Sequence, residues 1–413
     1  MVKLKGFQKI TLTDKALQTW LTTLQIGKPK AEAVSLQDSL GRVLAEDLIA
    51  QENLPRFDRS TMDGYALSSA DSAGSSQSKP AVFELVDSQT VGAQQAKQIW
   101  TGNPIPKGAD AVIMLENTER KKGKLEVWSQ LAPGENICKI GEDLKKGTLI
   151  AKTGNRLTPY HIGLAAAQGY SKLKVALKPK IGIIATGNEL AEPGSKLSGS
   201  LIYDSNKVMI SAVCRELGAE PTDYGIAKDE EEEISQKIRE ALKNEDAVVT
   251  TGGTSVGGLD LVPDAVNKLG KPGVIVHGVA LRPAMPTALG MLESKPVLIL
   301  SGNPVAAIIG FEVFGRPLVC RLLGMAETEP RPMLKAVLAR RVVSALGRKT
   351  YVRVRVTLKD GEFCAEPVSA KGSGSISTMT QSNGFVVVPE NREGISEGET
   401  VTVHMFAPLE VTQ

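Results

Sequence analysis

Three short stretches concentrate the residues that can do chemistry. ATGNEL (185–190), TTGGTSVGGLD (250–260) and SGNPVAA (301–307) crowd glycine, hydroxyl and amide side chains into a few positions each. Glycine permits positive φ and lets other groups approach the backbone closely. Successive N–H groups of such a loop can turn toward one anion. The third stretch adds another device. Pro304 suits the first helical position and Asn303 the cap, while Gly302 admits close approach, so the free N–H groups of a helix start would face an anion. Thr186, Gly187, Gly252, Gly253, Ser255, Gly257, Ser301, Gly302, Asn303 and Pro304 are therefore the candidate phosphate contacts. Any one stretch alone reads as a surface turn or a plain helix start; three in one region argue for a ligand. Neither GxGxxG nor GxxxxGK[ST] is present, which disfavours a Rossmann dinucleotide site and a P-loop.

Carboxylates accompany these loops. Asp260 ends the second stretch, Glu189 lies in the first, and Asp229 precedes a helix after another strand end; Asp63 and Asp143 sit in earlier loops. Acids beside phosphate-binding backbone suit Mg²⁺, which takes few carboxylates and completes its shell with phosphate oxygens and water. For any single Asp, a turn or a cap is the plainer account. Helix-dipole complementarity explains most of the acidic run Asp229–Glu233. In HGVALRPAMPTALG (277–290), Pro283 biases Arg282 toward an extended backbone, and a fixed guanidinium suits an oxyanion. An ordinary surface arginine is the alternative.

The elements that must position these residues follow from periodicity and punctuation. TDKALQTWLTTLQI (13–26) and SLQDSLGRVLAEDL (35–48) read as helices, with Asp14 at the cap or in the first turn. Residues 51–145 read as β-rich, with strands in AVFELVD, AVIMLE and KLEVW. Residues 147–169 give a strand, a turn and a helix capped by Thr158 with Pro159 first. From 179 to about 325, strands (KIGIIATG, PTDYGIA, DAVVTTGG, KPVLILSG) alternate with helices, the last a single helix from Asn303 to Gly324. That alternation predicts a parallel sheet in an α/β domain. PRP (330–332) reads as a linker to a small β domain containing AVLARRVVS, TYVRVRVTL, GFVVVP and ETVTVHMF.

Composition narrows the class. At roughly 150 residues per domain, 413 residues make about three domains. A net charge of +3 points to no nucleic-acid or membrane-surface partner, and 4% aromatics leave few base-stacking platforms. No apolar run approaches the roughly 20 residues of a membrane span. The N-terminus lacks the apolar core of a signal peptide, and Cys138, Cys214, Cys320 and Cys364 are scattered, so a cytoplasmic protein with reduced, packed thiols is expected. His161, His277 and His404 are too dispersed for a zinc site.

FDRSTMDGYAL, TGNPIPKGADAVIMLE, GENICKIGEDL, ATGNEL, IYDSN, TTGGTSVGGLD, RPAMP and SGNPVAA occur in this order. Together they resemble the molybdopterin molybdenumtransferase family, which includes the gephyrin C-terminal domain, from about residue 8 to about 408. The resemblance implies a multidomain α/β plus β fold. A discontinuous N-terminal domain (1–50 and 146–178) would hold a β-rich domain (51–145). A central three-layer α/β molybdopterin-binding domain (179–328) and a C-terminal β-barrel (329–413) would follow. It implies a homodimer in which Asp63, Thr101, Gly102 and Asp143 face the partner's glycine loops. The implied reaction takes molybdate and adenylated molybdopterin, the product of an upstream molybdopterin adenylyltransferase. It cleaves the phosphoanhydride and releases AMP, with Mg²⁺ assisting on Asp260 and Asp229. Asp63, Asp143, Asp229, Asp260 and Arg282 would be catalytic, with Thr101 and Glu189 among the substrate contacts.

The chain departs from the family in places. Lysines common around RPAMP are replaced by Gly278, Arg282, Ala284 and Met285; Cys138, Lys139 and Ile140 stand where some members carry arginines; Ser301 stands where proline is usual. These departures motivate two alternatives: a non-catalytic carrier of molybdopterin, or a tungstate-preferring homologue.

Overall fold

The structure, a computed structural model, describes residues 10–24, 26–254, 260–326, 328, 330–368 and 373–409. The chain forms two compact units. One comprises Ala33–Leu40 and Glu46–Lys174; the other comprises Met1–Glu32, Gly41–Ala45 and Val175–Gln413.

The smaller unit is built on a six-stranded sheet in the order Ala111–Met114, Gly64–Leu67, Gln95–Ile99, Ala81–Leu85, Lys124–Val127, Thr118–Lys121. Tyr65, Leu67, Phe83, Ile113, Leu125 and Val127 fill its core. The helix Pro159–Ala167 starts as expected. Thr158 Oγ1 accepts from His161 N at 3.3 Å, and Thr158 N donates to His161 Nδ1 at 3.2 Å, a reciprocal capping box.

The helix expected over 35–48 does not form. Ala31–Ser35 is a strand, and a turn follows. Ser35 Oγ donates to Asp38 Oδ2 at 2.7 Å and Ser39 Oγ donates to Leu36 O at 2.7 Å. Such local side-chain bonds compete with helix. Gly41, at φ 71°, takes a left-handed conformation that ends any helical run.

The larger unit holds a six-stranded sheet in the order Glu220–Ala227, Lys180–Thr186, Ala247–Thr251, Lys295–Leu300, Ala288–Leu292, Pro272–His277. The first four strands are parallel. These four are the strands read from sequence as a parallel sheet; two further strands, unread there, extend it in antiparallel pairing. Only the short turn at Glu293 and Ser294 separates Ala288–Leu292 from Lys295–Leu300, too little chain for the crossover a parallel pair requires.

Alternate strand residues serve opposite faces. Ile181, Ile183, Val249, Leu298 and Leu300 pack in one core with Trp20, Ile210, Val305 and Phe314. Ile184, Val248, Val297 and Ile299 pack in another with Ile234, Ile238, Val262 and Val266. The result is a three-layer α/β arrangement. The N-terminal helix Thr13–Thr23 joins the first core; Leu12 occupies its cap and Asp14 its first turn.

The last helix is interrupted. Residues Phe311–Gly315 form a π turn between Pro304–Gly310 and Arg316–Leu322. Pro317 has no N–H to give to the carbonyl four residues back, which removes one rung of a continuous α-helix. Beyond it, Lys349–Lys359, Glu362–Pro367, Met333–Leu338, Thr400–Met405 and Gly384–Val388 pair in sequence, and the last closes on the first to make a five-stranded barrel. Glu362–Pro367 went unread in the sequence. Among the described residues, no helix is long and apolar enough to cross a membrane.

Candidate functional site

The parallel strands run in chain order from Lys180–Thr186 outward to Glu220–Ala227, then back past the start to Ala247–Thr251. The order therefore reverses between Lys180–Thr186 and Ala247–Thr251. In open α/β sheets, ligands bind beyond the carboxyl ends of strands at such a switch point. The three glycine-rich stretches all lie there.

Close backbone approach explains the glycines. Gly252 has φ 91°, and a Cβ on it would stand 2.2 Å from Thr186 O. Gly253 has φ 64°, and its Cβ would meet Val262 Cγ2 at 2.5 Å. Gly252 N donates to Leu300 O at 3.1 Å, tying the second stretch to the third. Gly187 N donates to Ala227 O at 3.1 Å. Asn188 and Asp229 exchange two bonds, each 3.2 Å: Asn188 N to Asp229 Oδ2, and Asp229 N to Asn188 Oδ1.

Together these loops line a cavity of about 610 Å³. Ten of the residues anticipated from sequence line it: Thr186, Gly187, Glu189, Asp229, Gly252, Gly253, Ser301, Gly302, Asn303 and Pro304. Ser255 and Gly257 lie outside the described residues. Asp260 is not in the cavity wall, although its neighbour Leu261 is. Asp260 holds the cap position of the helix Leu261–Leu269, and its Oδ1 lies 3.7 Å from His277 Nε2. Asn303 does hold the cap position before Pro304, but its side chain makes no cap bond. Asn303 N instead donates to Ser301 Oγ at 3.3 Å.

Sequence reasoning passed over Asp204 and Asn206, in the cavity wall. Leu190–Ala191 pairs with Ile202–Tyr203, and Asp204 N donates to Ala191 O at 3.0 Å, so the first stretch delivers both residues to the site. Asn206 Nδ2 donates to Gly302 O at 2.7 Å, bridging to the third. The motif IYDSN was visible in the sequence, but nothing in it marked which atoms face a ligand.

Arg282 lines a second cavity, of about 590 Å³, with Ser301 and Asn303 in the walls of both. Leu281–Arg282 is a short strand paired with Lys349 and Thr350, which fixes the extended backbone expected before Pro283. Arg348 and Arg353 share this wall. Arg353 is only 9% exposed and its Nε has no hydrogen-bond partner among the described residues. Burial alone lowers its pKa. A buried guanidinium with no acid beside it among the described residues is costly. Arg353 carried no sequence signal. It and Arg355 stand two residues apart on one strand, a spacing that puts both on one face, and only the fold buries one and exposes the other.

The smaller unit carries the remaining candidates. Asp63 Oδ1 accepts from Thr101 N at 2.7 Å and Thr101 Oγ1 at 2.8 Å. These bonds, the backbone one first, hold the Asp63 carboxyl below the usual carboxylate range. Gly64 must be glycine, because a Cβ would stand 1.8 Å from Ile113 O. Gly102 N donates to Ser60 O at 2.8 Å, and Ser60 pairs with Ile137, so the segments leading to Asp63, Thr101 and Asp143 are joined. Asp143 is exposed, its N–H donating to Leu54 O at 3.0 Å. Lys139 is committed to Asp58, Nζ to Oδ2 at 3.0 Å.

Fold and site thus define an α/β protein with a glycine-lined cavity at a topological switch point. Comparison with known proteins narrows the class. Residues 11–169 match the MoeA N-terminal region (domains I and II), 182–321 the probable molybdopterin binding domain, and 335–406 the MoeA C-terminal region (domain IV). A putative molybdopterin biosynthesis protein of Methanocaldococcus jannaschii is 36% identical over 98% of this chain and 100% of its own length. The molybdopterin molybdenumtransferase of Bacillus subtilis is 37% identical over 91% of this chain and 89% of its own. The crystal structure of a MoeA molybdopterin biosynthesis protein from Pyrococcus horikoshii superposes with a TM-score of 0.81 at 34% identity, covering 97% of this chain and 100% of that one. The chain belongs to the molybdopterin molybdenumtransferase (MoeA) family, and its role is that of a transferase in molybdenum cofactor biosynthesis.

Proposed function

We propose that this chain transfers molybdenum from molybdate to adenylated molybdopterin and releases AMP. The observation that carries the reading is the pairing of two cavities across Ser301 and Asn303, one walled by glycine loops and the other by arginines. The loops suit the substrate's phosphates, because their backbone N–H groups and the helix start at Pro304 stabilise negative charge. The arginine cavity suits the oxyanion. Arg282 and Arg348 supply charge at its mouth, and buried Arg353 supplies a guanidinium with no competing carboxylate among the described residues. Ser301 and Asn303 then sit where the two substrates meet.

Among the described residues no group of three or more acid, histidine or cysteine side chains is placed to hold a metal ion by itself. Mg²⁺ needs only one or two carboxylates beside phosphate and water. Asp229, in the cavity wall, would hold it together with Asp260, which sits just outside that wall at the cap of Leu261–Leu269, and when bound it would neutralise charge on the phosphoanhydride. Glu189 lies beside Gly187 at the phosphate end of the cavity. Asp63, Thr101, Gly102 and Asp143 act on the substrate from a second copy of the chain, in a homodimer of four-domain subunits whose edges fall near 50, 145, 178 and 328. An adenylyltransferase supplies the nucleotide substrate.

The test is AMP release from adenylated molybdopterin with Mg²⁺ and either molybdate, tungstate or no oxyanion, with Asp260→Ala as control. Oxyanion-dependent release that drops about 100-fold or more in the control is expected. Tight pterin binding without AMP release under any condition sinks the catalytic reading in favour of a carrier; release with tungstate alone reassigns the metal.

A further inference from the structure

Lysine is almost never fully buried unless it is paired, and Lys207 is 1% exposed. It stands in the first turn of the helix Asn206–Glu216, where its N–H donates to Asp204 Oδ1 at 3.2 Å. Asp204, Ser205 and Asn206, just before it, line the larger cavity. Lys207 Nζ donates to Glu192 Oε1 at 2.7 Å and to Asp223 Oδ2 at 2.9 Å. The two acids come from different places. Asp223 lies on the edge strand Glu220–Ala227, and Glu192 follows Leu190–Ala191. One ammonium thus joins the helix start, the sheet edge and the arm that runs from Leu190 to Tyr203. The arm has little else to hold it. Residues 192–200 are all exposed, so no buried side chain anchors them. Among the described residues, the other hydrogen bonds of 192–201 stay inside the arm. Ser195 N and Oγ donate to Glu192 O at 3.1 and 2.7 Å, Leu201 N donates to Ser198 O at 3.3 Å, and the Tyr203 hydroxyl donates to Ser195 O at 2.8 Å. Yet the ends of the arm, Leu190, Ile202 and Tyr203, line the cavity beside Glu189.

We infer that Lys207 is a positioning residue for the nucleotide substrate: it ties the arm to the sheet edge and so keeps Glu189, Leu190 and Tyr203 in the cavity wall. The inference rests on the reading of this cavity as the substrate site. A lysine suits the place because its three N–H donors, on one compact charge, serve carboxylates arriving from two directions. The side chains of Glu192 and Asp223 are 53% and 58% exposed, while that of Lys207 is 2% exposed. Without the cation, two like charges would face each other with water at hand, and the arm would be free to swing away from the edge strand.

Glu192→Ala cuts the tie at the arm. Asp223→Ala cuts it at the sheet edge and leaves Lys207 on Glu192. Lys207→Met removes the cation and Lys207→Arg keeps it. AMP release is measured over a range of adenylated molybdopterin concentrations, beside thermal melts and limited trypsin cleavage after Lys196, which lies in the arm. For Glu192→Ala and Lys207→Met, KM should rise about tenfold with kcat within about twofold, the mark of lost uniform binding. Cleavage after Lys196 should speed up in both. Asp223→Ala should match wild type, Lys207→Arg should recover most of the lost KM, and the Glu192→Ala melting temperature should stay unchanged. Normal wild-type turnover with an unchanged KM in Glu192→Ala overturns the inference alone. An equal rise of KM in Asp223→Ala, or a fall in the Glu192→Ala melting temperature that tracks its KM, overturns it in favour of a purely structural Lys207. A wild type that neither binds nor converts adenylated molybdopterin overturns the substrate reading and the inference together.

Discussion

The two cavities that share Ser301 and Asn303 have nearly the same volume, about 610 and 590 Å³, yet they are built by opposite means. The first is walled by loops whose glycines let backbone meet backbone, and its charged side chains are acids. The charged side chains of the second are arginines. A site for a large ligand with dispersed phosphate charge can rely on backbone dipoles, which are neutral and need no counter-ion. A small oxyanion has one compact charge to recognise, and fixed guanidinium groups do that at short range.

Arg353→Met tests this division most severely. Oxyanion-dependent AMP release should fall about 100-fold, the value of charge-assisted hydrogen bonds lost from a buried site. Affinity for adenylated molybdopterin without oxyanion should stay within about twofold. Equal loss of both would break the comparison and merge the cavities into one site. Gly252→Ala should act in the reverse sense. Its positive φ and the 2.2 Å approach to Thr186 O cannot accept a Cβ without displacing the loop. A stability loss of roughly 2 kcal/mol in denaturant melts and weakened nucleotide binding are expected. Retained oxyanion affinity would sharpen the comparison.

Arg282→Ala should cost less than Arg353→Met, roughly tenfold or below in apparent oxyanion affinity, because Arg282 is exposed and its charge is partly screened. The smallest effect near neutral pH concerns titration. Burial, opposed chiefly by the Lys207 backbone N–H and the Lys207 charge, raises the pKa of Asp204 above the ordinary carboxylate value. Its ionised form is therefore the one disfavoured by folding. The stability gained with the protonated form is lost as pH rises through the raised pKa. Oxyanion affinity should hold over the same range, because a guanidinium keeps its proton. An oxyanion affinity that follows the melting temperature, with melts and calorimetry run side by side, would contradict separate chemistry in the two cavities.

The cavities also differ in how far their sequence announces them. The walls of the first were legible because each is a local device. Glycine fixes the φ it permits, and Pro304 marks a helix start from its own covalent structure. Strand–helix alternation then says that the loops meet at one rim. Local reading also misled: Leu36, Leu40 and Leu44 fall at helical spacing in a segment that Ser35, Ser39 and Gly41 turn instead. The antiparallel strands Pro272–His277 and Ala288–Leu292 were invisible because pairing direction depends on partners, not composition.

By itself, then, the sequence determined the glycine loops, the acids beside them and the family, since these are properties of short contiguous stretches and their order. Only the tertiary structure decided that Arg353 is buried while Arg355 is exposed, and that Asp204 and Asn206 are buried in a cavity wall. Burial and hydrogen-bond partnership are set by what packs around a residue. For Asn206 that neighbour is the carbonyl of Gly302, 96 residues away along the chain.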